Sequence, residues 1–189
     1  MQSVFTNTMN QDNLFHLMIE SDIDTVRSIC LTQHISYCND PHFWKLKFDH
    51  DNLPIVTKEL PATLNQWRKE YIRVETAADL AVEVLEKLQH KRLIIVFTYN
   101  DKQFNFKEIL PFSLRSAMHY YTKQYQSFNK LAIEYQGNKY GVAFYKDKSA
   151  HFTINFEDIY NVLTIIFYHY PTISYEFRTF NQMLLLNYI

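Results

Sequence analysis

Glycine is almost absent from this chain of 189 residues, which contains only Gly137 and Gly141. Phosphate-binding loops and dinucleotide-binding turns need several glycines, because a side chain would keep the backbone away from the phosphate. The low glycine count therefore excludes the Walker and Rossmann nucleotide-binding motifs.

The chain also lacks an excess of charge of either sign. It has 19 basic and 20 acidic side chains, which leave a net charge of -1. Binding to nucleic acid or to an anionic membrane draws on an excess of lysine and arginine. We therefore expect neither nucleic acid nor a membrane as a partner.

Long apolar segments are missing as well. The most apolar run, residues 162–167, is far shorter than the roughly 20 residues of a membrane-spanning helix. Residues 1–13 are polar, whereas a signal peptide has a basic start followed by an apolar stretch. We expect a protein without a membrane span or a secretion signal.

Cysteine is scarce, with only Cys30 and Cys38 present. The two lie eight residues apart in a stretch with helical spacing, where a disulfide between them would need strained geometry. We therefore expect free thiols and an intracellular location.

Apolar residues are plentiful by contrast, at 47% of the chain, so a sizeable core can form. In the first half they recur at helical spacing. Asn13 and Asp22 are suited to cap two short helices. Asp40 followed by Pro41 predicts the start of another, because an N-cap residue before a proline is typical of a helix N-terminus.

The region that follows predicts a loop and two further helices. Residues 49–60 have the composition of a loop, and residues 64–74 return to helical spacing. Thr76 with Asp79 predicts the start of a second helix. We expect the first of these helices to pack on the preceding ones as a rigid bracket.

After about residue 90 the apolar residues mostly alternate, which predicts strands. Residues 93–99 are expected to form a hairpin with the segment containing Phe104 and Phe106. A second hairpin is expected around Gly137 and Asn138. The other predicted elements are a helix from Ser113, a turn at residues 147–148, a helix from about Asp158 to His169, a strand at 173–177 and a docked end at 183–189.

Residues 26–30 and 37–46, which include Asp40-Pro41 and Trp44, resemble the second half of an F-box. The resemblance covers residues 14–48, and this region is similar to the F-box-like N-terminal domains of large DNA viruses of amoebae. It implies an intracellular location in the host cytoplasm, with the virion as the alternative. It implies an adaptor: the F-box docks a Skp-type subunit of a cullin-RING ubiquitin ligase, and the rest of the chain recruits a target.

The resemblance places the partner-binding side chains in the first helix and at the start of the second. A helical module this short cannot cover all of its apolar side chains, so some should face a partner. The alternative is that the same residues belong to the protein's own core. The candidates are Leu14, Phe15, Met18, Ile19 and Ile23, while Trp44 and Trp67 are expected to be structural.

Four residues that can bind zinc follow one another at intervals of four: Cys30, His34, Cys38 and His42. Steps of four drift around a helix by about 40° each, so these side chains should point apart. We expect no metal and no cofactor. The chain also has no Gly-x-Ser-x-Gly motif and no paired nucleophile and base, so we expect no catalytic residues and no enzyme activity.

Lysines and tyrosines alternate through the second half in a way that could imitate a single-strand-binding platform. Since the net charge is near zero, we interpret them as a protein-contact surface instead. They are Lys123, Lys130, Lys139, Lys146 and Lys148 with Tyr120, Tyr121, Tyr125, Tyr135, Tyr140 and Tyr145.

These patterns together predict an α+β fold in three parts. An F-box-like module of short helices occupies residues 1–48, a loop and bracket helices occupy 49–90, and an α+β interaction domain with a small antiparallel sheet and packed helices occupies 91–189. The predicted function is a non-enzymatic protein–protein adaptor that recruits a target to a Skp/cullin-type ubiquitin ligase. The alternative is a viral structural or virion-associated protein that uses the same fold for assembly.

Overall fold

The fold was obtained as a computed structural model, which describes residues 11–33, 35–57, 59–91, 93–98, 104–105, 110, 127–128, 130–145 and 149–179. Short helices come first, followed by an antiparallel sheet with packed helices, so the predicted α+β class is confirmed. The chain divides into two compact units, which we call the helical unit (Met1–Val74) and the sheet unit (Glu75–Ile189).

In its described residues the helical unit is built from short helical elements and the beginning of a longer helix. They are α1 (Gln11–Glu20), α2 (Ile23–Gln33), a 3₁₀ turn (Ser36–Asn39), α3 (Pro41–His50) and the first turns of α4 (Leu64–Lys91). Between α3 and α4 the structure contains no helix or strand among its described residues, in line with the predicted loop.

Of the three N-caps predicted in the helical unit, at Asn13, Asp22 and Asp40, two are confirmed. Asp22 accepts hydrogen bonds from the backbone N–H groups of Asp24 and Thr25 at 3.0 and 2.9 Å, and Asp40 accepts one from His42 at 2.9 Å. Both carboxylates satisfy donors that a helix N-terminus leaves unpaired. The cap at Asn13 was wrong, because α1 already begins at Gln11.

The prediction of two helices after the loop was also wrong. α4 runs without interruption for 28 residues, and Thr76 lies inside it. The segment contains neither glycine nor proline, so nothing in the backbone stops the helix there. A threonine followed three residues later by an acidic residue can also lie in a helix interior.

In its described residues the sheet unit contains the remainder of α4, a further helix and two sheets. The helix is α5 (Phe156–His169), and the strands in the described residues are β1 (Ile94–Thr98), β2 (Phe104–Asn105), β3 (Ser127–Phe128), β4 (Lys130–Tyr135), β5 (Tyr140–Tyr145), β6 (Ser149–Ile154) and β7 (Ser174–Arg178). The larger sheet is antiparallel in the order β6-β5-β4-β1-β7, and β2 pairs with β3.

Strand pairing confirms one predicted hairpin and contradicts the other. β4 and β5 pair around a turn in which Gly137 has φ of 89°, a conformation that favours glycine. β1, however, pairs with β4 and β7 and not with the segment at Phe104. The first four residues of β1 are all buried, as expected of a strand that lies between two others in the sheet.

The core of the sheet unit lies where helices cover the sheet. Phe97 of β1 packs against Phe167 of α5, with ring centroids 5.8 Å apart. Tyr140 is 1% exposed, and its hydroxyl accepts a hydrogen bond from Gln89 of α4 at 2.6 Å. α5 begins after Asn155, whose side chain caps it, and ends at His169 as predicted. The predicted last strand is also present, as β7.

Several predictions lie outside the described residues. They are the helix from Ser113, the turn at 147–148 and the docked end at 183–189. Among the helices that the structure does describe, none has the length and apolar character needed to cross a membrane.

Candidate functional site

The residues expected to bind a partner divide into two groups. Leu14 and Met18 are 6% and 0% exposed, so they belong to the core of the helical unit. Phe15, Ile19 and Ile23 are partly exposed. Leu14 and Met18 therefore belong to the protein's own core, which was the alternative interpretation. The other three residues retain surface that a partner could contact.

Phe15 is held in place by two other aromatic side chains. Its ring centroid lies 5.3 Å from that of Tyr37 in the 3₁₀ turn and 5.5 Å from that of Phe43 in α3, both in edge-to-face geometry. Edge-to-face pairs are a favourable arrangement for aromatic rings. One side of Phe15 is thus part of the core, and its remaining surface is presented in a fixed orientation.

Three leucines of the helical unit are exposed although they lie in helices. Leu17, Leu31 and Leu46 are 41%, 53% and 37% exposed, and they belong to α1, α2 and α3 respectively. Leu46 is exposed although Phe43 and Trp44 of the same helix are fully buried. Helical spacing identifies an apolar face but does not determine where that face ends.

The two tryptophans form the centre of the helical unit. Trp44 and Trp67 are both 0% exposed, and their rings stack with centroids 5.6 Å apart and planes 8° from parallel. The Trp44 indole N–H donates to the carbonyl oxygen of Cys38 at 2.8 Å. The Trp67 indole nitrogen is buried and has no hydrogen-bond partner within the described part of the chain. Both residues are therefore structural in this fold.

A buried lysine connects three helices next to this stack. Lys47 is 2% exposed, and its ammonium group donates to the carbonyl oxygen of Ile19 at 2.8 Å and pairs with Asp51 at 2.7 Å. Ile19 lies in the last turn of α1, where carbonyl groups lack intrahelical partners and attract positive charge. The Tyr71 hydroxyl of α4 donates to the same Asp51 oxygen at 2.7 Å.

Asp51 remains ionised because several donors surround it. Burial by itself would raise the pKa of this carboxyl, but hydrogen bonds from Lys47, Tyr71 and His50 outweigh burial and lower the pKa. Asp51 is only 21% exposed, and its neighbour His50 approaches the other carboxylate oxygen at 2.9 Å. The group is a satisfied ionic cluster, and each member has a partner.

Sequence reasoning missed this cluster, although a signal was available. Lys47 lies on the apolar face of α3 with Phe43, Trp44 and Phe48, where a lysine is out of place unless it is paired. Asp51 follows it at the i+4 position, the spacing at which opposite charges meet on a helix.

The expectation of free thiols was wrong. Cys30 and Cys38 form a disulfide, with their Cα atoms 5.9 Å apart. α2 ends at Gln33 and the 3₁₀ turn begins at Ser36, so the two residues do not share a helix. Their Cα separation is the usual one for a disulfide. The inference of an intracellular location from free thiols loses its basis.

Zinc binding at these positions would require free thiolates, but the sulfurs of Cys30 and Cys38 are bonded to each other. His34 lies outside the described residues. No group of three or more possible metal ligands occurs in the portion of the chain that the structure describes.

The predicted surface of lysines and tyrosines is wrong for one residue, Tyr140. Tyr140 lies in the core and not on a surface, whereas Lys130 and Lys139 are exposed and Tyr135 is partly exposed. Tyr120, Tyr121, Tyr125, Lys123, Lys146, Lys148 and the side chain of Tyr145 are outside the described residues.

Comparison with known proteins provides no identification. No family model, no curated protein and no solved structure matches this chain. The candidate site is therefore described from the structure alone. It is the compact helical unit, with its disulfide-linked 3₁₀ turn, its buried ionic cluster and its exposed leucines.

Proposed function

We propose that the protein is a non-enzymatic protein–protein interaction protein whose helical unit docks a partner. The observation that supports this proposal is the exposure of Leu17, Leu31 and Leu46, which lie in three helices of one compact unit. Exposed leucine is a favourable contact in an interface core, because its burial removes apolar area from water.

The first candidate partner is a Skp-type adaptor, for which the resemblance to an F-box is the reason. The Asp40-Pro41 pair that contributes to the resemblance begins α3, and Trp44 lies in the core of the helical unit. In this proposal α1 and α2 bind the adaptor, and the sheet unit recruits a target to a Skp/cullin-type ubiquitin ligase.

The disulfide favours a second candidate, a virion-associated protein. Disulfides persist in oxidising settings such as extracellular space and virion surfaces and are rare in the cytosol. The Cys30–Cys38 bond would be unusual for a cytosolic adaptor and ordinary for a protein packaged in a particle.

Affinity purification of the tagged full-length chain from infected or transfected cells, followed by mass spectrometry, separates the candidates. A Skp-type adaptor among the partners supports the first, and co-sedimentation with intact particles supports the second. The Leu17→Asp variant should lose the partner, because it places a charge on an exposed apolar position of α1.

A matched control is available outside the helices. Leu60 is 55% exposed in the segment before α4, so Leu60→Asp makes the same chemical change at a different place. Equal partner recovery by both variants would contradict docking through α1. Loss with Leu17→Asp alone would support it, provided that both variants unfold at the wild-type urea concentration.

A further inference from the structure

The 3₁₀ turn at Ser36–Asn39 contacts more of the helical unit than its four residues would suggest. The Tyr37 ring lies against Phe15 of α1 and against Phe43 of α3, with centroid distances of 5.3 and 5.8 Å. Two helices that are distant in sequence thus share one aromatic contact in this turn.

The next two residues of the turn add polar contacts. The carbonyl oxygen of Cys38 accepts the buried hydrogen bond from the Trp44 indole at 2.8 Å. The Asn39 side-chain oxygen accepts a hydrogen bond from the backbone N–H of Leu64 at 2.7 Å, and Leu64 is the first residue of α4. This bond satisfies a donor that the N-terminus of α4 would otherwise leave unpaired.

The turn itself has little internal support. Its backbone bonds are local: Cys38 N–H reaches the Ile35 carbonyl at 3.4 Å, and Asp40 N–H reaches the Tyr37 carbonyl at 2.9 Å. Single 3₁₀ turns have poorer hydrogen-bond geometry than α-helices and little stability of their own. The disulfide to Cys30 therefore adds a covalent cross-link between this turn and α2 to the backbone that joins them.

We propose that the Cys30–Cys38 disulfide is a redox latch for the helical unit. With the bond closed, the turn holds α1, α3 and the start of α4 together. When an external dithiol reduces it, the Cys30 and Cys38 sulfurs each gain a hydrogen, the dithiol becomes a disulfide, and the turn is released. The latch is a property of the unit's fold and does not depend on whether the unit binds a partner.

The size of the effect follows from the loop that the bond closes. The cysteines are separated by 8 positions. For a closed loop of this length, chain entropy predicts that reduction raises the unfolding equilibrium constant by about 100-fold. Cys30 and Cys38 are 6% and 3% exposed, so a reductant reaches the bond only after local opening, and reduction must be allowed to go to completion.

Tryptophan emission of the full-length chain offers a direct test, because the chain has two tryptophans and both, Trp44 and Trp67, belong to the helical unit. Urea unfolding followed by this emission should show a lower midpoint in dithiothreitol than under oxidising conditions, and reoxidation should restore it. An unchanged midpoint after complete reduction, verified by thiol labelling, would overturn the proposal. So would two free thiols in protein purified without reductant.

Two sets of variants separate the latch from a general effect of the reductant. The Cys30→Ala/Cys38→Ala chain should have the same midpoint with and without dithiothreitol. Asn39→Ala removes the contact with α4 and should lower the midpoint more in the oxidised protein than in the reduced one, because reduction already loosens the turn. Equal effects of Asn39→Ala in both states would contradict release of the turn. If the double cysteine variant does not fold, the wild-type comparison still decides.

Discussion

The buried pair Lys47 and Asp51 allows a quantitative test of how the helical unit is held together. Lys47 is 2% exposed, and its ammonium group has two oxygen partners, Asp51 at 2.7 Å and the Ile19 carbonyl at 2.8 Å. Asp51→Ala leaves this ammonium with the Ile19 carbonyl as its remaining oxygen partner and with the Tyr71 ring, 5.7 Å away, in a site where Lys47 is nearly shielded from water. Removing one partner of a buried pair typically costs about 3–5 kcal/mol. We expect about 3 kcal/mol, because Asp51 is 21% exposed and water can replace part of the carboxylate.

The reverse substitution should cost less. In Lys47→Met the side chain keeps its volume, and Asp51 retains Tyr71, His50 and contact with water. The loss is then limited to hydrogen bonds that water partly replaces, about 1–2 kcal/mol. In the double variant no ammonium is left unpaired, so its cost should be smaller than the sum of the two single costs.

Urea unfolding followed by tryptophan emission measures all three free energies, since Trp44 and Trp67 both lie in the helical unit. Lys45→Met is the matched control: Lys45 is exposed in the same helix, and its replacement should change stability by no more than about 0.5 kcal/mol. The reasoning is refuted if Asp51→Ala costs no more than Lys47→Met, or if the double variant costs the full sum.

Three further predictions concern the rest of the chain. Trp44→Ala should destabilise the helical unit by about 3–5 kcal/mol, because it removes a fully buried indole with its stacking partner and its hydrogen bond, and circular dichroism during thermal unfolding would measure this. Asn155→Ala should cost about 1 kcal/mol by removing the cap of α5, whereas Asn155→Asp should be tolerated; equal losses in chemical denaturation would contradict the capping role. Protein purified without chelator should contain less than stoichiometric zinc by mass spectrometry of metals, because the Cys30 and Cys38 sulfurs are bonded to each other; one zinc per chain, lost in Cys30→Ser, would contradict the disulfide.

Features determined by neighbouring residues were predicted correctly from the sequence. Asp40 followed by Pro41 begins α3, and Gly137 forms the turn between β4 and β5. The regular spacing of apolar residues predicts α5, which ends shortly before Pro171. In each case the signal is contained within a few residues, because capping, turn geometry and helical periodicity are local effects.

Features determined by distant residues were predicted wrongly or missed. The partners of β1 are β4 and β7, which lie far along the chain, and nothing near β1 indicates a choice between them and the adjacent segment. The disulfide can form because Cys30 lies in α2 and Cys38 in a separate 3₁₀ turn, an arrangement that spacing along a single helix does not predict. For the candidate site, the pattern identified Phe15, Ile19 and Ile23 together with the buried Leu14 and Met18, because periodicity does not measure exposure.

The lowered pKa of Asp51 makes a final prediction about pH. A carboxyl whose pKa is lower in the folded state than in the unfolded state stabilises the fold above its unfolded pKa, which is near 3.8. This contribution is lost as the pH falls through the folded value. Asp22, whose pKa is lowered by hydrogen bonds from Thr25, adds to the same acid dependence, so wild-type data alone do not isolate Asp51.

The difference in stability between the wild type and Asp51→Asn does isolate it. That difference should shrink as the pH falls below about 4, because the protonated carboxyl no longer attracts Lys47. Asp49→Asn makes the same chemical change at an exposed position two residues earlier and serves as the matched control. Urea midpoints at pH 3, 4, 5 and 7 would show the trend. A difference that persists undiminished at pH 3 would mean that Asp51 acts through the shape of its side chain and not through its charge.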